Sequence, residues 1–159
     1  LRGNVDTRLR KLEDGDADAL ILAAAGLLRL VVVPEHAAPM SLSEMVPAPG
    51  QGCLAVQARA SDGETIEVLS ALDHAASRTA LEAERGLMAR LGGGCALPLG
   101  AFAEPTASGV RMVAIALTPD GARFARTEVD AATPDEVAAL AALDLSAGGA
   151  DEILGLVRP

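Results

Sequence analysis

Arg2, Arg8, Arg29 and Cys95 have the type and setting for chemistry on a small acidic molecule. Val5, Leu9 and Leu12 recur at helical spacing, which predicts a short amphipathic helix over 4–13 with Asn4 as its cap. Arg2 precedes that helix and Arg8 lies about one turn inside it. Free N–H groups at a helix start favour an anion, and guanidinium groups add paired hydrogen bonds to carboxylate or phosphate. On spacing alone, solvated charges paired with Asp6 or Glu13 are the commoner outcome, and such pairs contribute little. Arg29 is the one charge in the apolar stretch 19–33, so it must extend to water or meet an acidic partner. If it faces the same cleft as Arg2 and Arg8, the three form a site for a polycarboxylate.

Cys95 follows Gly92, Gly93 and Gly94, between a helix and a strand. Glycines permit positive φ and clear side chains from beside the sulfur, so a bulky group could attach to it, although a buried inert cysteine is commoner. A phosphate-binding loop fits poorly: no Gly-Lys-Ser/Thr follows, and the glycines come after a helix instead of opening one. Cys53 reads as a core cysteine in an apolar strand. Neither His36, in a proline-rich loop, nor His74, in a first helical turn, has a nucleophile or paired metal ligand nearby in sequence. Glu82 and Glu84 read as the solvated side of their helix.

The surrounding composition bounds the function. Thirteen basic residues against 22 acidic ones leave a net charge of −9, which disfavours nonspecific nucleic-acid binding. Phe102 and Phe124 are the sole aromatics, so base stacking on aromatic platforms is unavailable and the core must be aliphatic. Two cysteines without CxxC or His-rich surroundings argue against a disulfide framework or a zinc site and for a reducing, cytoplasmic setting. The 19–33 stretch is shorter than a membrane span and carries Arg29. The first residue is Leu1 in a loop-like run, which suggests a fragment.

These residues need elements to hold them. After the first helix, Gly15 marks its end, 18–22 reads as a strand buried on both faces, and 23–30 as a helix. Pro47-Ala-Pro-Gly-Gln-Gly52 resists helix and ladder pairing and is the best internal boundary. A buried strand over 53–59 and a helix over 65–72 follow. Asp73 is the expected cap of a helix over 74–91, whose stripe is Ala80, Ala83, Leu87, Met88 and Leu91. Residues 96–103 read as extended, and 110–117 with 123–129 as a hairpin turning at Pro119-Asp120-Gly121. Thr133-Pro134-Asp135-Glu136 has capping-box spacing for a helix over 134–143, and a last helix covers 150–157. The order implies an α/β portion followed by a small α+β domain with helices on an antiparallel sheet.

Four segments in order resemble the porphobilinogen deaminase (hydroxymethylbilane synthase) family: Arg2-Gly-Asn-Val-Asp-Thr-Arg8-Leu9; Ala23-Ala-Ala-Gly-Leu-Leu-Arg29-Leu30; Pro47-Ala-Pro-Gly-Gln-Gly52; and Gly93-Gly-Cys95-Ala-Leu-Pro98-Leu-Gly100. Ala83-Glu-Arg85 and the Pro119-Asp-Gly hairpin support them. The resemblance implies that Cys95 carries a covalent dipyrromethane cofactor through a thioether. It also implies that Arg2, Arg8 and Arg29 hold acetate and propionate groups of cofactor and growing chain, and that Gln51 and Gly52 form an interdomain hinge. It divides the chain into the end of a periplasmic-binding-protein-like central α/β domain (1–46), a crossover returning to the first domain (47–72) and a C-terminal α+β domain (73–159). The implied reaction joins four porphobilinogen units, with loss of ammonia, into a linear tetrapyrrole, in a cytoplasmic monomer without metal. Ala96 stands where the family commonly has Gln, and charged residues expected just after the second segment are missing. The family's catalytic aspartate has no counterpart here, so the expectation is a fragment inactive by itself. The alternative class is a non-catalytic α/β module that binds a small carboxylate.

Overall fold

A computed structural model describes residues 1–32, 34–94 and 97–156, in two compact units, Leu1–Ser41 and Leu42–Pro159. In the first unit α1 (Val5–Glu13) starts where its cap predicts: Asn4 Oδ1 accepts the Thr7 N–H at 2.9 Å. Gly15 follows the C-cap Asp14, and the Asp16 N–H donates back to the Lys11 carbonyl at 2.9 Å. Helix α2 (Ala24–Arg29) occupies most of the predicted second helix. The strand expected over 18–22 does not form. A strand is held by ladder bonds to neighbours, and the described residues of this unit contain no other strand to supply them. Neither helix buries a residue completely, and Ile21, Leu28 and Val31 are largely exposed.

The second unit holds α3 (Gly63–Ser70), α4 (Ala75–Arg90), β1 (Leu99–Thr106), β2 (Gly109–Leu117), β3 (Phe124–Ala131), α5 (Pro134–Ala147) and α6 (Ala150–Gly155). The strands form an antiparallel sheet in the order β1-β2-β3. Period-two alternation places Leu99, Ala101 and Ala103 of β1, Val110, Met112, Ala114 and Ala116 of β2, and Ala125 of β3 on one buried face. Helices α4, α5 and α6 cover that face with Ala83, Leu87, Val137, Ala138, Ala141, Leu145, Ile153 and Leu154. The small alanines let helices approach the sheet closely, so a core almost without aromatics still packs. Thr133 and Glu136 form the reciprocal capping box at the start of α5, with Pro134 at its first position.

Three local readings are corrected. Residues 53–59 form no strand: Leu54 and Val56 are exposed and Cys53 is half-buried, outside the core, again because no described strand pairs with them. The cap of α4 is His74, whose Nδ1 accepts the Ser77 N–H; Asp73 instead pairs with Arg78. Helix α3 starts two residues early because Asp62 caps it through the Thr65 N–H. The last residue of the expected C-terminal helix, Val157, lies outside the described residues.

Residues 42–50 run as a strap around the sheet. On the face away from the helices, Arg126 of β3 donates to the Leu42 carbonyl at 3.0 Å. Gly100 of β1 lies on the same cross-strand row, through Ile115. A Cβ at Gly100 would stand 2.8 Å from the Val46 carbonyl oxygen, so only glycine admits the strap there. The strap then turns the β1 edge, where the Ala101 N–H donates to the Pro47 carbonyl at 2.8 Å. The outward N–H groups of β1 are all accounted for: Leu99 donates to Leu97, Ala101 to Pro47 and Ala103 to Glu84, and Pro105 has none. No described helix is long and apolar enough to cross a membrane.

Candidate functional site

The arginines singled out by sequence all lie in the first unit. Arg8 folds back on the helix start, its Nε donating to the Gly3 carbonyl at 2.9 Å, and Lys11 Nζ reaches the Arg2 carbonyl at 3.4 Å. These bonds tie the segment carrying Arg2 back onto α1, beside the helix start where free N–H groups and the helix dipole favour negative charge. Arg29 is the last residue of α2 and is exposed. A Cβ at Gly26 of that helix would be 3.6 Å from a Val5 methyl of α1, so the two helices meet at a small residue.

Among the described residues, none of Arg2, Arg8 and Arg29 forms an ion pair, and the pairs with Asp6 or Glu13 that spacing allowed are not made. Among the described residues of the second unit, Arg59, Arg85 and Arg126 likewise form no ion pair, but four other arginines do. Arg78 pairs with Asp73, Arg90 with Asp135, Arg123 with Glu152, and Arg111 with both Glu104 and Glu128. The first unit therefore presents guanidinium groups without acidic partners, the donor set suited to a ligand's carboxylates.

Cys95 and Ala96 lie outside the described residues, but the approach to them is defined. Helix α4 ends in a two-bond cap: the Gly92 N–H donates to Ala89 and the Gly93 N–H to Met88, with Gly92 at φ 81°. A Cβ at Gly93 would lie 2.4 Å from the Met88 carbonyl oxygen, so this glycine is required by the helix end itself. Gly94 differs, with nothing within 4 Å of where a Cβ would be. The run that sequence treated as one clearing for the sulfur thus divides into a helix cap and a single open position next to Cys95.

Sequence reasoning misjudged Glu84, which is buried, not solvated. Its Oε2 accepts the Gly50 N–H at 2.6 Å and its Oε1 accepts the Ala103 N–H at 3.0 Å. Burial pushes its carboxyl above the usual glutamate range, and the two N–H donors oppose that shift. The signal was present in the stripe, because Glu84 falls four residues after Ala80 and three before Leu87, on the apolar face. Gln51 and Gly52 follow immediately, and the bonds of Gln51 are local, its Oε1 accepting the Ala48 N–H at 3.3 Å. Among the described residues no three His, Cys, Asp or Glu side chains cluster as metal ligands.

Two family models match the chain in succession: "Porphobilinogen deaminase, dipyromethane cofactor binding domain" over residues 1–67 and "Porphobilinogen deaminase, C-terminal domain" over residues 79–147. A porphobilinogen deaminase of Desulforudis audaxviator is 41% identical over 160 residues, covering 99% of this chain and 52% of its own length. That of Acidothermus cellulolyticus is 43% identical over 161 residues, covering 97% of this chain and 48% of its own length. That of Roseiflexus castenholzii is 52% identical over 103 residues, covering 65% of this chain and 34% of its own length. The chain spans about half the length of the first two relatives. The chain belongs to the porphobilinogen deaminase family.

Proposed function

We propose that this chain is the cofactor-bearing part of an enzyme that deaminates porphobilinogen and joins four units into the linear tetrapyrrole hydroxymethylbilane. The observation that carries the reading is the charge contrast within one chain. Arg78, Arg90, Arg111 and Arg123 of the second unit are paired with carboxylates, whereas Arg2, Arg8 and Arg29 are left without acidic partners. In this reading those three bind acetate and propionate groups through paired hydrogen bonds, which orients each pyrrole ring for the next addition. Cys95 holds the dipyrromethane through its sulfur, and the open position at Gly94 leaves room beside it. When bound, that cofactor primes the addition of substrate.

The same reading assigns 1–46 to the end of a periplasmic-binding-protein-like α/β domain, 47–72 to a crossover hinged at Gln51 and Gly52, and 73–159 to the C-terminal domain. The apolar side chains exposed at Ile21, Leu28, Leu54, Val56 and Val68 are surfaces for the remaining half of the relatives' length to cover. The acid–base aspartate belongs to that half, so residues 1–159 alone form no tetrapyrrole. The intact protein is proposed as a cytoplasmic monomer that binds porphobilinogen and polypyrrole, with no nucleic acid or membrane as partner.

The test is peptide mapping by mass spectrometry of protein expressed from a complete reading frame. A dipyrromethane adduct is expected on the peptide containing Cys95 and should vanish in Cys95→Ser. Active enzyme with unmodified Cys95 would overturn the assignment.

A further inference from the structure

We propose that Glu84 is a positioning residue that locks the 42–50 strap onto the C-terminal sheet, so that bending is confined to the chain beyond Gly50. The inference stands apart from the deaminase reading and draws only on the packing of the second unit. At the point where the strap turns the β1 edge, the two main-chain groups that reach Glu84 are both donors, the N–H of Gly50 and the N–H of Ala103. Two donors cannot bond each other, so the junction needs a group that accepts twice. An ionised carboxylate is the side chain that does so without presenting a donor. Glu84 reaches the junction from α4, so a single side chain joins helix layer, sheet edge and strap.

The other ties of the strap act along its length: Arg126 on the Leu42 carbonyl, Val46 seated over Gly100, and the Pro47 carbonyl on Ala101. They end at Gly50. Beyond it, the Gln51 side chain bonds back to Ala48, the Cys53 N–H donates to Gly50, and Leu54 and Val56 are exposed. The strap is therefore part of the C-terminal body, and the free pivot begins at Gln51.

Residue-resolved amide hydrogen exchange on the 159-residue chain and its Glu84→Gln variant tests this. Glutamine keeps one acceptor oxygen and turns an NH₂ toward the other N–H, so one of the two bonds must break. Exchange at Gly50 or Ala103 should accelerate about tenfold or more in the variant, while Ala114 in the central strand stays unchanged. Unchanged exchange at both positions in a folded variant would overturn the proposal. If the variant does not fold, the wild-type map decides: Gly50 exchanging about tenfold or more slowly than Gly52 supports the lock, and exchange at a similar rate overturns it.

Discussion

The two units differ in how they use arginine. In the second unit Arg78, Arg90, Arg111 and Arg123 are spent on nearby carboxylates around a packed core; in the first, Arg2, Arg8 and Arg29 stand without acidic partners, and its helices bury nothing completely. The difference teaches that charge alone does not mark a ligand site. The chain is strongly acidic overall, yet acidic side chains pair with arginines only in the second unit among the described residues, where the sheet and helices fix them in register. Arg2, Arg8 and Arg29, unpaired although acidic residues lie in the same unit, stand out against that background.

The sharpest way to break the comparison is to remove packing. Leu87→Ala should cost about 2–5 kcal/mol in urea unfolding, because the side chain is fully buried among α5 and the sheet, whereas Leu28→Ala in α2 should stay within about 0.5 kcal/mol. Comparable losses at the two positions would mean that the first unit has a core of its own. Gly100→Ala comes next. Its methyl would press on the Val46 carbonyl, and overpacking of about 1–3 kcal/mol is expected, read as a lowered urea midpoint with faster exchange at Ala101. Thr133→Ala removes one half of the α5 capping box and should cost about 1 kcal/mol.

The smallest effect is a slope. Because burial raises the Glu84 carboxyl, the native protein holds that proton more tightly than the unfolded chain. Stability through this group is therefore fully present below the ordinary glutamate pKa and is lost as pH rises through the raised value. The difference in unfolding free energy between wild type and Glu84→Gln should decline with pH across that window. A difference independent of pH would show that the carboxyl is not desolvated.

Local signals were legible. The Asn4 cap, the Thr133 capping box and the hairpin at Pro119-Asp120-Gly121 each depend on residues within a few positions, and each forms. What spacing alone missed depends on distant partners. Asp18 to Leu22 and the run after Cys53 have strand-like composition, but pairing requires a neighbour and none of the described residues supplies one. Asp73 and His74 can both cap α4, and the choice turns on Arg78 one turn later, which takes Asp73. Glu84 was misread because a carboxylate on an apolar stripe makes sense only once main-chain donors 19 and 34 residues away in sequence are known to converge on it. The motif segments in order were legible as a family resemblance, and family models match the chain. The cap that consumes Gly92 and Gly93 became visible only when their carbonyl partners were located.

The sealed edge of β1 also sets how copies of this sheet can associate. A strand edge with free N–H groups is a template for another chain, and a sheet with two such edges can stack without limit. Here Leu97, Pro47, Glu84 and Pro105 close one side, which leaves β3, lined by Arg126, Glu128 and Asp130, as the other. Edge-to-edge growth through this sheet can therefore join two copies back to back but cannot propagate into a fibre.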